Sequence, residues 1–548
     1  MPWEPNTINS KILAIHAAFL NFDRVVFFGG DQHDPQLAAT NTDATCLFES
    51  GSGTVTQITS PHFDTFCSGH ALSVEGTLMV AGGTASFPGG VAGLHHDHFP
   101  GLRDSAVIRF EQSGHAWHAT ADMSQGAAAP HHDTRRTGGR WYPTLVTLGN
   151  GNVLALSGHP GQDDREHTNY IPEVFTPAPT PRGEWHRLGS YTDATQNQLF
   201  SSHQTTYYPR AHLLPTGDVL LASPTPDRKT ATLTVGHNPW SAAYAPVCHF
   251  TPGDSGQYGI WDETSVLLPL MHEQGYPARV MVCGGEQPWI LSLAGWQSGV
   301  TPENTLSWRR TAPRKLAGSP RRMTGNAVIL PTGEVLVVGG VKGAPGPGGE
   351  ILKLDSTAVN SPEIYNPFSG KWSALTTAPE TAKVARNYHS VALLLRDGRV
   401  WTAGSDHNGG QGIANADLRI EIYEPWYQRR PDRPKITAAP DRWLTGETFH
   451  VRTTQASQIK RVAMVRCGSC THAFNSDQRY ISLPFDFGGG DSLFVTAPPN
   501  GNVSPPGMYF LYTINQKGVP SEGITLYVSA DPESEGEREW GNLYHSHG

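Results

Sequence analysis

With 548 residues the chain is too long for one ordinary hydrophobic core, so two or more domains or a repeat architecture are expected. It contains 59 Gly and 43 Pro residues but only 16% charged residues, a turn-rich composition that favours an all-β protein over a helical or disordered one. The formal net charge of −9 gives no reason to expect nucleic acid or an anionic membrane as a partner.

Neither a membrane span nor an export signal is visible in the sequence. No apolar run approaches the roughly 20 residues of a spanning helix, and the first residues lack the basic and apolar regions of a signal peptide. The six cysteines are too few and too scattered for a disulfide framework. Cys467 and Cys470 are compatible with a disulfide, a redox pair or two plain thiols, and a bond between Cys248 and Cys283 also stays open.

One pattern recurs along the first 430 residues: an apolar strand, a turn that contains Gly, a second apolar strand, and then Gly-Gly or a close variant. Its seven copies open near Ile15, Cys67, Tyr142, Tyr208, Trp261, Gly325 and Tyr388. After most copies a third strand carries an aromatic residue, and a Trp follows it. These features are typical of kelch repeats and predict an all-β fold, with a seven-bladed kelch-type β-propeller over residues 1–430. A stack of separate sandwiches is the competing architecture.

A second domain follows the repeats. The propeller should close near residues 420–426, and a basic, Pro-rich linker at residues 428–434 marks the boundary. Alternating strand-like runs over residues 431–530 predict a small immunoglobulin-like (E-set) β-sandwich. Residues 531–548 form an acidic tail.

Residues that open the repeats are candidates for a shared site, because the innermost strand of each propeller blade begins near the central axis. These candidates are Cys67, Tyr142, Tyr208, Trp261, Tyr388 and His389. A polar loop of the sandwich, residues 471–479, adds His472, which a docked domain can insert into the axis. Tyr388 and His389 are adjacent and would point to opposite faces of a regular strand. Both can serve one site only if the backbone is irregular just before the strand.

Four segments resemble, in the same order, motifs of the galactose oxidase and glyoxal oxidase family. Residues 64–69 resemble the loop with the crosslinking cysteine, and residues 139–144 resemble the segment with the crosslinked tyrosine. Residues 386–390 resemble the axial-tyrosine and first-histidine motif, and residues 471–479 the second-histidine motif. The resemblance covers nearly the whole chain. It implies a copper-radical oxidase of primary alcohols or of small aldehydes as hydrates, with O2 as acceptor and H2O2 as second product.

The same resemblance implies roles for five residues. One copper ion would be held by Tyr142, His389 and His472 as equatorial ligands and by Tyr388 as the axial ligand. A thioether bond would join Cys67 to the ring of Tyr142, which would carry a tyrosyl radical. Imidazole and phenolate suit Cu(II), and Tyr388 would accept the hydroxyl proton of the substrate. The catalytic residues would therefore be Cys67, Tyr142 and Tyr388.

Each of these residues also has a purely structural explanation. A lone buried cysteine packs as a small apolar residue, and a lone tyrosine packs with its hydroxyl bonded to a partner. Only the coincidence of all five favours the oxidase over a non-catalytic kelch propeller that binds protein or glycan. We expect a monomer without nucleic-acid or membrane partners, and the resemblance favours a secreted or extracytoplasmic location.

The outer part of the site departs from the galactose oxidase pattern. That enzyme stacks a Trp over the crosslinked tyrosine, whereas the corresponding stretch here contains His159 and Pro160 but no Trp. His159 is the nearest candidate for this position, which argues against galactose and favours the glyoxal oxidase side of the family. His98 and His132, from two His-rich stretches, are weaker substrate-pocket candidates, and the alternatives there are ordinary loop polarity and a second metal site.

Overall fold

The structure is a computed structural model, and it describes part of the chain in detail. The described residues are 2–4, 6–30, 45–85, 99–111, 114–124, 138–160, 168–177, 182–189, 194–201, 207–222, 229–235, 242–249, 263–285, 287–297, 306–315, 321–345, 351–375, 380–406 and 416–529. Within these ranges the chain forms ten β-sheets and one α-helix, Ala194–Ser201. No helix in the described part has the length and apolar character that a bilayer crossing requires.

Seven antiparallel sheets follow one another before the sandwich, and in six of them four strands pair in chain order. The strands of the first three sheets are His16–Leu20, Arg24–Phe28, Thr45–Glu49 and Val55–Ile58; Gly69–Leu72, Leu78–Ala81, Ser105–Glu111 and Gly114–Ala119; and Thr144–Thr147, Val153–Leu156, Glu173–Thr176 and Glu184–Arg187. The strands of the next three are Ala211–Leu213, Val219–Leu221, Lys229–Val235 and Ala242–His249; Ser265–Leu267, Arg279–Val282, Trp289–Ser292 and Arg309–Arg310; and Asn326–Ile329, Val335–Val338, Glu363–Asn366 and Lys371–Ala374.

The seventh sheet joins the two ends of this series. Its strands Ser390–Leu394, Val400–Gly404 and Arg419–Tyr423 are completed by Ile8–Asn9, which pairs with Arg419–Tyr423. Each predicted repeat coincides with the first two strands of one of the seven sheets. The all-β propeller with a following sandwich is therefore confirmed, and the stack of separate sandwiches is not what forms.

The sequence explains why the sheets pack side by side. Inner strands such as Val335–Val338 are apolar and buried along their whole length, because each sheet lies between two others. In the second, third and sixth sheets, a Trp that follows the third strand ties the sheet to the preceding one. The Nε1 atoms of these Trp residues donate to hydroxyls there: Trp117 to Thr45 (3.3 Å), Trp185 to Ser105 (3.1 Å) and Trp372 to Thr311 (3.1 Å).

The sandwich consists of two further sheets around one core. One sheet has the strands Ile436–Ala438, Thr448–Thr453, Ser492–Thr496 and Phe485–Gly489, and the other has Arg442–Leu444, Ile524–Ser529, Gly507–Asn515, Ile459–Arg466 and Arg479–Leu483. Trp443, Val451 and Leu511 are buried between them. The last propeller strand ends at Tyr423 and the first sandwich strand begins at Ile436.

A hairpin of the sandwich domain extends the first propeller sheet. Its strand Ser469–Thr471 pairs antiparallel with His16–Leu20, and Phe474–Asn475 forms the edge of the resulting six-stranded sheet. This pairing by main-chain hydrogen bonds is a strand addition within one chain. It places the turn residues His472 and Ala473 at the start of the first strand, near the central axis of the propeller, where the candidate residues that open the repeats lie.

Candidate metal centre

Residues that open the first strands share a left-handed backbone conformation. The φ angles are +60° at Cys67, +65° at Tyr142, +46° at Tyr208, +56° at Thr324 and +58° at His389. Such a conformation costs a non-Gly residue about 1–3 kcal/mol and persists only where its surroundings impose it. At His389 this conformation interrupts the alternation of side chains between the two faces of the strand. The rings of Tyr388 and His389 therefore stack with centroids 3.8 Å apart, and both side chains lie on the same side of the backbone. The irregular backbone that Tyr388 and His389 need in order to serve one site is therefore present just before the strand.

Five predicted residues meet at this place. The hydroxyls of Tyr142 and Tyr388 are hydrogen-bonded to each other. The ring centroid of His472 lies 4.7 Å from that of His389 and 4.8 Å from that of Tyr142. Ligand atoms of Cys67, His389 and His472 all lie within 4.8 Å of one another. None of the five residues is more than 4% exposed, so the cluster is a buried centre.

Burial dominates the electrostatics of Cys67 and Tyr142. It raises the pKa of the Cys67 thiol well above its usual value, although a side-chain hydrogen bond with Tyr142 acts in the opposite direction. Burial, together with the neighbouring Cys67 and Tyr388, also raises the pKa of Tyr142 well above its usual value. Both groups therefore stay protonated unless a cation lies beside them.

The two histidines are oriented by different partners. Nδ1 of His389 donates to Oδ2 of Asp406 at 2.8 Å, and Asp406 is itself buried. Oγ1 of Thr471 donates its only proton to the carbonyl of Ile15 (3.1 Å), so it accepts from Nδ1 of His472 at 2.7 Å. In both rings Nδ1 is therefore protonated and Nε2 carries the lone pair that a metal needs.

Two buried arginines hold the loops that carry the tyrosines. Arg140 donates to the carbonyls of Ser157 (2.7 Å) and Ile171 (2.6 Å) and to Oε1 of Glu173 (2.9 Å). Arg386 donates in the same way to the carbonyl of Gly404 at 2.8 Å. Both arginines belong to the recognised motifs, but their role depends on carbonyls that only the folded loops bring together.

Trp141 is a site residue that the sequence did not reveal. Its ring stacks on the ring of Tyr142 with centroids 3.9 Å apart and an angle of 14° between the planes. His159 is buried next to it, because its backbone pairs with that of Trp141, and its ring lies 6.4 Å from that of Tyr207. His159 remains the predicted candidate for the outer position over Tyr142, and Trp141, which directly precedes the tyrosine, is a second residue that covers its ring.

The remaining candidates fall into two groups. Tyr208 lies beside the cluster, 4.5 Å from Tyr142 and 4.4 Å from His472 between ring centroids, and its hydroxyl donates to the carbonyl of Ser68. Outside the described residues lie Trp261, His98, His132 and the acidic tail 531–548. Among the cysteines whose side chains are described, five are free: Cys46, Cys67, Cys283, Cys467 and Cys470.

Comparison with protein families gives two matches that together span most of the chain. The sequence model of the glyoxal oxidase N-terminus matches residues 130–427. The model of the galactose oxidase-like early set domain matches residues 433–528. The gap between the two matches falls between the last propeller strand and the first sandwich strand.

Named relatives and a solved structure agree with these matches. Aldehyde oxidase GLOX of Vitis pseudoreticulata is 28% identical over 404 residues, which are 70% of this chain and 71% of that protein. Galactose oxidase of Gibberella zeae is 32% identical over 207 residues, 37% of this chain and 29% of that protein. A fungal alcohol oxidase of the AA5 family, in complex with copper, shares the fold with a TM-score of 0.72 and 22% identity, over 96% of this chain and 99% of its own.

Proposed function

Because the chain belongs to the glyoxal oxidase family, we propose that it is a copper-radical oxidase of a primary alcohol or of a small aldehyde in its hydrated form. The product is the aldehyde or the acid, and O2 is reduced to H2O2. The observation that carries the proposal is the convergence of Cys67, Tyr142, Tyr388, His389 and His472 on one buried point. A propeller that only binds protein or glycan has no need of this combination.

The donor set fits a copper ion. His389 and His472 each offer Nε2, because Asp406 and Thr471 engage their Nδ1 atoms. Imidazole nitrogen and phenolate oxygen are donors that Cu(II) accepts. Tyr142, Tyr388, His389 and His472 would therefore hold the ion. When bound, copper supplies a Lewis acid and one of the two one-electron acceptors that the reaction needs.

The side chains around this position carry out the proton and hydrogen-atom transfers and exclude water. The phenolate oxygen of Tyr388 takes the proton of the substrate hydroxyl as a general base. Tyr142, joined to Cys67 by a thioether and in its tyrosyl radical form, takes the hydrogen atom of the adjacent carbon and becomes a phenol, and the polarizable sulfur stabilises the radical form. In total two electrons and two protons leave the substrate and reduce O2 to H2O2. A buried apolar cluster that includes Phe66, Trp141 and Tyr208 excludes water from this chemistry.

Peroxide release over a panel of primary alcohols and aldehydes tests this function. Tyr388→Phe removes one hydroxyl and keeps the other three proposed ligands. We expect it to retain copper by metal analysis but to lose turnover by about 100-fold or more, the contribution typical of a general base. Tyr276→Phe, at a half-buried tyrosine that packs against an apolar cluster shared by the propeller and the sandwich, is the matched control. If the copper-loaded protein releases no peroxide with any compound, the oxidase proposal is wrong.

A further inference from the structure

Lys353 lies near the end of the propeller that carries the candidate centre. In each sheet the second strand returns to the end at which the first strand begins, so the connection that follows it lies at that end. In the sixth sheet this connection joins Val338 to Glu363 and includes the short hairpin Ala344–Pro345 and Ile351–Leu352. Lys353 directly follows this hairpin.

The ammonium group of Lys353 faces the ring of Tyr388. Its Nζ atom lies 5.7 Å from the centroid of the Tyr388 ring, a distance at which a cation and an aromatic face attract each other. Tyr388 is buried, whereas Lys353 is only half-buried. The lysine therefore lies beside the ring of Tyr388 and is partly exposed to solvent, as a residue that meets an incoming substrate must be.

The backbone of Lys353 is fixed by the residue that precedes Tyr388. Nδ2 of Asn387, a fully buried side chain, donates to the carbonyl of Lys353 at 2.7 Å and to Oδ1 of Asp355 at 3.1 Å. The backbone N–H of Asn387 donates to Oγ of Ser405 at 2.9 Å. One buried amide thus ties the backbones of the lysine and the tyrosine to each other, so the point from which the lysine side chain extends is built into the fold.

We propose that Lys353 binds a carboxylate of the substrate and makes the site selective for aldehydes that carry a carboxylate beside the reacting carbon. This inference rests on the oxidase function proposed above. An ammonium group is a compact charge with three donors, and its hydrogen bonds to a carboxylate are about twice as strong as neutral ones. A carboxylate one bond away from the carbon at Tyr142 and Tyr388 is within reach of a cation placed at Tyr388. A neutral aldehyde of the same size gains nothing from Lys353.

Two small aldehydes that differ in charge test the proposal with the copper-loaded protein. Glyoxylate and glyoxal are both hydrated in water, but only glyoxylate carries a carboxylate. For Lys353→Gln we expect kcat/KM for glyoxylate to fall about tenfold, mainly through KM, and kcat/KM for glyoxal to stay within about twofold, as for the loss of one charge-assisted contact. Lys353→Arg keeps the charge and should keep most of the preference.

Lys371→Gln is the matched control, because it makes the same change in net charge at an exposed position on the outer strand of the same sheet. This variant should leave kcat/KM for both glyoxylate and glyoxal unchanged. Oxamate, an unreactive carboxylate, gives a second readout, since calorimetry should show weaker binding to Lys353→Gln than to the unmodified protein. If Lys353→Gln keeps the preference for glyoxylate, or if its kcat/KM falls equally for glyoxylate and glyoxal, the inference is wrong while the oxidase proposal stands. If the unmodified protein oxidises neither aldehyde nor any alcohol, the oxidase proposal fails, and the oxamate titration still decides whether Lys353 binds carboxylate.

Discussion

At the scale of single residues, the two candidate histidine ligands have unequal partners. His389 donates to a carboxylate, that of Asp406, whereas His472 donates to the neutral hydroxyl of Thr471. A carboxylate on the second nitrogen raises the basicity of a histidine ligand and fixes the orientation of its ring. His389 is therefore expected to be the stronger of the two donors.

Asp406→Asn tests this difference, because it keeps an oxygen acceptor for Nδ1 of His389 and removes the negative charge. We expect the affinity for Cu(II), measured by competition with a chelator, to fall about 10- to 100-fold, the usual cost of changing such a partner. Asp441→Asn makes the same charge change at an exposed position of the sandwich and should leave the affinity unchanged. If Asp406→Asn and the unmodified protein bind Cu(II) with equal affinity, Asp406 does not strengthen His389 as a ligand.

Some of the site residues could be predicted from the sequence, and others could be identified only in the structure. Cys67, Tyr142, Tyr388, His389 and His472 stand within motifs that resemble a known family, so they could be predicted. Asp406, Trp141 and Lys353 could not, because their roles depend on which loop lies beside which ring. Asp406 reaches His389 across the two strands of a hairpin, 17 residues apart, and no local spacing rule describes that contact.

At the scale of elements, the hairpin that carries His472 is held in a strained form. Its two turn residues have positive φ angles, +46° at His472 and +62° at Ala473, as in the tight turns that usually contain Asn-Gly. The two-residue connection between the paired strands Ser469–Thr471 and Phe474–Asn475 requires this conformation. The sequence predicted a polar loop over these residues, since a strand of three residues gives no periodic signal and its partner lies more than 400 positions away.

Thr471→Val tests how much the hydroxyl of Thr471 contributes to this element. The substitution keeps the branched shape but leaves Nδ1 of His472 and the carbonyl of Ile15 without their bonds to Oγ1. We expect the copper-free protein to lose about 1–3 kcal/mol of unfolding free energy, the cost of unpaired buried polar groups.

Chemical denaturation of the copper-free protein measures that change. Thr448→Val provides the control, because Thr448 bonds only to Thr496 on an exposed face of the sandwich among the contacts described. Its effect should stay within about 0.5 kcal/mol, as for other surface substitutions. A Thr471→Val variant as stable as this control would show that the hairpin is held without the hydroxyl.

At the scale of the whole molecule, the candidate centre exists only because distant parts of the chain meet. Cys67, Tyr142 and His389 open the second, third and seventh sheets, and His472 comes from the sandwich. The repeat pattern predicted the sheets, because each repeat carries its own apolar strands and Gly turns. It could not predict that Ile8–Asn9 completes the seventh sheet, since two residues carry no pattern.

We propose that this assembly brings Cys67 and Tyr142 together for oxidative linkage at a copper site. Forming the thioether removes the thiol hydrogen and one ring hydrogen, and O2 accepts both as H2O2. Cys67→Ser cannot form the bond and serves as the control. The most direct measurement is the intact mass and peptide map after copper loading in air. We expect a loss of two hydrogens and one linked peptide pair that contains Cys67 and Tyr142, whereas an unchanged mass with two separate peptides would show that the linkage does not form.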